Sequence, residues 1–213
     1  MPATPTAPAT PPPAYLGAYD NDSYMVAWGS GRIEEFTDVP DNVFCPVCGW
    51  KTKWQFTRPS FKIRRKAKKR DISSTYDHAT IVSQRFRDIA IALGETPSIF
   101  VPLPAEPGFF HLVPRRIVAF DVKKRQTTQD DLCPHCGLYA QTAGAVPVYL
   151  AEPFPKRGHI FRTDILFGSY NERTPLKLIS GALHSALRDA KLTGMELHAI
   201  TPDHMPKPAR AIS

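Results

Sequence analysis

Two five-residue segments constrain this chain more than anything else in it: Cys45-Pro46-Val47-Cys48-Gly49 and Cys133-Pro134-His135-Cys136-Gly137. They hold all four cysteines and follow one template, Cys-Pro-x-Cys-Gly, with residues 49–132 between Cys48 and Cys133. A two-residue gap lets both sulfurs of a pair point at one centre from a tight turn. Glycine directly after the second cysteine admits the left-handed backbone that closes such a turn. Two such pairs supply four thiolates, the donor set of a tetrahedral Zn²⁺ site with bonds of about 2.3 Å. The expected ligands are Cys45, Cys48, Cys133 and Cys136. A closed four-thiolate site leaves no open position for substrate, so the zinc is expected to be structural. Redox pairs and disulfides are the competing readings. No βαβ pattern flanks either knuckle, and no export signal suggests an oxidising compartment.

The net charge of +7 is local. Lys62-Ile63-Arg64-Arg65-Lys66-Ala67-Lys68-Lys69-Arg70 carries seven of the 27 basic residues and no acidic one; without it the chain has 20 basic against 20 acidic residues. Lys62, Arg64, Arg65, Lys66, Lys68, Lys69 and Arg70 read either as a phosphate-binding arm or as a solvated loop. A charge run by itself carries no base readout. Ile63 and Ala67 are too little apolar surface for a membrane-bound amphipathic helix.

The chain of 213 residues, 42% hydrophobic, can bury one sizeable core. It contains no stretch of about 18 apolar residues, so no membrane span is expected. The N-terminal residues lack a basic region followed by an apolar one, so no secretory signal is visible and a cytoplasmic protein is expected. Residues 1–14 are rich in Pro, Ala and Thr and are expected to be disordered. One zinc-clamped domain is expected over 15–201, with the basic loop 62–70 inside it and a polar tail over 202–213.

Within the domain, Tyr24–Trp28 reads as a strand. Trp50, Trp54 and Phe56 read as a mini-core beneath the metal site, or less readily as base-stacking platforms. Ser83 is a credible N-cap for a helix whose face is Phe86, Ile89, Ala90 and Leu93, ended by Gly94. A second helix begins after Ser180, with face Leu183, Ala186, Leu187 and Ala190, and Gly194 follows it. Strands are expected at 98–102, 116–122, 146–150, 160–167 and 195–200, and a polar loop at 123–131. The fold class is therefore α+β, with short strands and two short amphipathic helices. Each half offers a knuckle, two apolar residues and Ser, a helix, a Gly and a strand, a pattern that allows an internal pseudo-repeat.

No nucleophile elbow, phosphate-binding Gly-rich loop or His-Glu-x-x-His motif is present. The seven histidines are scattered, and His135 sits between cysteines that already serve as ligands. No catalytic residue is assigned, and a non-catalytic protein is expected.

The layout resembles the double-CXXCG-motif family, associated with immunity proteins of bacterial polymorphic toxin systems. The second half carries most of the likeness: Leu132 through Gly137, Ile160-Phe161-Arg162, Leu178-Ile179-Ser180 with its helix, then Leu192 through Leu197. The first half adds Cys45 through Gly49, Trp50 or Trp54, and Ile81-Val82-Ser83. The resemblance implies a zinc-clamped protein that binds and neutralises a cognate toxin, and it implies no catalytic residues. The alternative is a nucleic-acid-associated zinc-ribbon protein that uses the run 62–70.

Overall fold

The structure, a computed structural model, describes residues 14–17, 39–63, 67–75 and 78–200. Residues 1–13, the strand expected at Tyr24–Trp28, Arg64 to Lys66 of the basic run and the tail 202–213 lie outside the described residues.

Two serines set the framework. Ser83 ends strand β3 (Thr80–Ser83), and its side chain accepts the Phe86 N–H at the start of α1 (Gln84–Ala92). Ser180 follows β10 (Thr174–Ile179) and accepts the Leu183 N–H at the start of α3 (Gly181–Asp189). Each hydroxyl satisfies a backbone donor that the first helical turn leaves orphaned. The helices turn their apolar stripes to one core, where Phe86 and Ala90 of α1 meet Leu183 and Leu187 of α3.

Two sheets flank these helices. The smaller has the order β2 (Ile72–Ser74), β3, β5 (Phe109–Leu112), β4 (Phe100–Pro102), all antiparallel. The larger runs β11 (Glu196–Ala199), β1 (Ala14–Gly17), β10, β9 (Ile160–Ser169), β8 (Tyr139–Ala143), β7 (Thr128–Leu132). A short β6 (Ile117–Val118) adds to β9 in parallel. Strand alternation then sorts the core. Ile160 and Ile179, cross-strand partners, face the helices. The next pair, Phe161 and Leu178, faces a second cluster with Val118, Phe120, Leu150 and Ile200. β10 is therefore covered on both sides, which explains its unbroken burial from Pro175 to Ile179. Pro175 cannot donate to a ladder, and the β9–β10 register shifts between Pro175 and Lys177.

The architecture is α+β, with three α-helices among the described residues. The two amphipathic helices stand where periodicity places them. The third, α2 (Val122–Arg125), is four residues long and replaces the start of the polar loop expected at 123–131; Gln126 and Thr127 follow it, and β7 takes the remainder. Asp121 creates α2 by accepting the Lys124 N–H, which also confines the strand expected at 116–122 to β6. β7 reads Thr-Gln-Asp-Asp-Leu, a polar edge strand without hydrophobic alternation, so no period announces it. The strand expected at 146–150 contributes a single bridge, Phe120 to Leu150.

Gly194 is required by its surroundings. Its φ is +75°, and a Cβ there would lie 2.2 Å from the Ile72 carbonyl oxygen. That close approach lets Thr193 reach the buried Asp71: one carboxylate oxygen accepts the Thr193 N–H at 2.9 Å and the other the Ser83 hydroxyl at 2.8 Å. One carboxylate thereby ties the entry of β2 to both helices.

Candidate metal centre

Each knuckle is a local turn with its own hydrogen bonds. In the first, Gly49 N–H donates to the Cys45 carbonyl at 2.9 Å and Cys45 N–H to the Trp50 carbonyl at 2.8 Å. In the second, Gly137 N–H donates to the Cys133 carbonyl at 2.8 Å and Cys133 N–H to the Leu138 carbonyl at 2.9 Å. Gly49 and Gly137 have φ of +72° and +70°. The two turns are thus copies in backbone geometry.

The fold brings them face to face. Cys45 Sγ lies 4.0 Å from Cys133 Sγ, and Cys48 Sγ lies 3.8 Å from Cys136 Sγ. All four sulfurs fall within 4.8 Å of one another, and none is in a disulfide. Tetrahedral bonds of about 2.3 Å place neighbouring sulfurs about 3.8 Å apart, close to the two cross-knuckle distances, so this donor set can hold a metal ion. Cys45 and Cys133 are buried, and Cys48 and Cys136 are half-buried.

The electrostatics repeat in both turns. The backbone N–H groups of Cys48 and Val47 lower the Cys45 thiol pKa, while those of Cys136 and His135 bring Cys133 down to about 7. Burial pushes Cys48 up to about 12 and raises Cys136 as well. In each knuckle backbone donors thus favour the thiolate of the first cysteine, and burial disfavours that of the second.

The turn between β9 and β10 closes the centre from the side. Asn171 Oδ1 accepts the Lys51 N–H at 2.7 Å. Arg173 is buried, its guanidinium 5.4 Å from the centroid of the Trp50 ring. Burial lowers the Arg173 pKa, and the negative charge of Cys136, Cys48 and Cys133 opposes that shift. Trp50 also meets Tyr170 edge-on at 6.1 Å. Trp54 stacks edge-on against the buried His111 and lies beneath Arg162 and Lys177 at 5.8 and 5.5 Å. Both tryptophans are packed into protein contacts.

His135 is exposed beside the sulfurs. The described part of the basic run is anchored at several points. Ile63 is buried against Ile81 and Leu103, and its N–H donates to Glu106 Oε1. Lys68 pairs with Glu106 at 2.7 Å, and the Lys69 carbonyl accepts the Thr193 hydroxyl. Lys62, Lys68 and Lys69 are exposed and Arg70 is half-buried. A freely solvated loop therefore does not describe Lys62–Ile63 and Lys68–Arg70. The run approaches the small sheet and the α3–β11 loop, whereas the sulfurs gather at the β9–β10 turn.

Arg173 and Asn171 are the site residues that no spacing signals. Both lie in a polar stretch between two strands, and only the pairing of β9 with β10 brings that stretch to the knuckles. No helix among the described residues is long and apolar enough to cross a membrane. Neither a protein-family model nor a curated protein matches the chain. Fold and site define an α+β protein with a four-thiol centre able to hold a metal ion.

Proposed function

We propose that Cys45, Cys48, Cys133 and Cys136 hold one structural Zn²⁺ per chain, and that the protein works in the cytoplasm by binding a protein partner, a cognate toxin, without turnover. The observation that carries the metal part is the pair of matched knuckles with sulfurs 3.8 and 4.0 Å apart across them. Four sulfur donors in a closed tetrahedral set suit zinc. When bound, the ion joins two segments of the chain 88 positions apart. The partner reading is supported by the resemblance of the second half, in order, to the double-CXXCG-motif family and by the lack of a recognisable catalytic motif in the sequence.

Elemental analysis of protein purified without added metal tests the first part. One zinc per chain is expected; no metal, or iron in its place, overturns it. For the second part, toxin activity is titrated with the protein. Protection that saturates at one protein per toxin is expected, and protection far below that ratio points to an enzyme. The competing reading rests on Lys62, Lys68 and Lys69, exposed on an anchored segment. Purification that yields only nucleic acid, with binding steeply weakened by salt, favours it.

A further inference from the structure

One guanidinium touches both knuckles at the same place. Arg173 Nη2 donates to the Lys51 carbonyl at 3.2 Å, and Nη1 donates to the Tyr139 carbonyl. Lys51 is the third residue after Cys48, and Tyr139 the third after Cys136. The fork of Arg173 therefore spans two equivalent carbonyls, each two residues past the glycine that closes its knuckle. Nε completes the set by donating to the Tyr170 carbonyl at 2.6 Å. All three acceptors are neutral oxygens, and no carboxylate among the described residues lies within ion-pair distance. The residue is 3% exposed. A buried cation without an anionic partner is costly, and the anionic groups that act on this one are the thiols of the centre.

We propose that Arg173 is the positioning residue and counter-charge of the metal centre: it bolts the two knuckles in register and offsets the negative charge of four thiolates around a divalent ion. Four thiolates and one dication carry a net charge of −2, and a fixed guanidinium neutralises half of it in a low-dielectric setting. Lysine retains the charge but not the planar fork that reaches both carbonyls. This inference rests on the metal reading above.

The experiment uses the full chain with Arg173→Gln and Arg173→Lys, titrated at one fixed pH with Zn²⁺ against a chromophoric chelator and with Co²⁺ followed by its thiolate charge-transfer band. Thermal unfolding is recorded with zinc and with excess chelator. Arg173→Gln is expected to weaken zinc binding about 10- to 100-fold, the range for a lost group that supports metal ligands. Arg173→Lys recovers part of that loss, and the Tm deficit of Arg173→Gln is larger with zinc than without it. Unchanged affinity in Arg173→Gln, or equal Tm losses in both states with no rescue by lysine, overturns the counter-charge role. Should Arg173→Gln fail to fold, Arg173→Lys decides alone: a Tm deficit larger with zinc than with chelator supports the role, and a deficit no larger with zinc overturns it. Wild-type protein that binds neither ion overturns the metal reading and this inference together; wild-type protein that binds normally alongside an equally tight Arg173→Gln overturns only this inference.

Discussion

The first knuckle and the second have the same turn but different foundations. Residues 133–137 form the turn of the β7–β8 hairpin, and β8 in turn pairs with β9. Residues 45–49 are closed by one isolated bridge, Phe44 to Lys51, outside any named strand. The second knuckle thus inherits rigidity from the larger sheet. The first is held by side-chain and backbone contacts to the β9–β10 turn and by whatever joins the sulfurs. Matching local geometry therefore says nothing about matching stability: a metal has more to stabilise on one side than on the other.

The largest expected effect breaks the link between them. Cys133→Ser should abolish stoichiometric metal binding and cost more than about 4 kcal/mol, because structural zinc is coupled to folding free energy. Chelation of wild-type protein should have an unequal effect, checked by hydrogen exchange: amides of 44–51 lose protection before those of 128–143. Equal loss on both sides would refute the asymmetry.

Glycine substitutions sharpen the comparison. Gly49→Ala and Gly137→Ala meet open space, so each bears only the left-handed backbone cost of about 1–2 kcal/mol. Gly194→Ala bears that cost and a Cβ placed 2.2 Å from a backbone oxygen. It should destabilise by roughly 3 kcal/mol or more and loosen the Thr193–Asp71 contact. Chemical denaturation of the three variants orders them.

Buried carboxylates anchor both halves. Glu95 accepts the N–H groups of Thr96, His159 and Ile160 and pairs with Arg116. Burial works to raise its pKa, and these donors more than offset that, so it titrates below its ordinary value of 4.5. Its stabilising contribution is fully present above about pH 4.5 and is lost as pH falls through the lower folded-state value. Glu95→Gln should be less stable at neutral pH and less sensitive to acid, as thermal melts at pH 7 and pH 3.5 will show. Lys68→Gln removes the half-exposed cation beside the largely buried Glu106 and should cost about 1 kcal/mol. No loss would mean that the basic run is not anchored there.

The smallest effect compares the helix starts. Ser83→Ala and Ser180→Ala each remove one cap, worth about 1 kcal/mol. Ser83 also donates to Asp71, and Ser180 shares a hydrogen bond with His159 Nδ1 at 2.8 Å. Similar losses support equivalent roles in the two halves.

What could be read from residues alone was what neighbours along the chain enforce. Cys-Pro-x-Cys-Gly specifies its turn because its hydrogen bonds close within six residues. Ser83 and Ser180 announce helices because a cap acts within three residues and an apolar stripe repeats every turn. The four cysteines could be grouped for the same reason: their chemistry requires a common centre. Other features depended on partners far away in sequence. β7 is a strand because β8 lies beside it, and Lys177 is buried because β10 is covered on both faces. The basic run is anchored because Glu106 reaches Ile63 and Lys68 from the β4–β5 loop. Arg173 illustrates the limit most clearly: in sequence it is an arginine between two strands, and only folding places its fork between two carbonyls 88 positions apart.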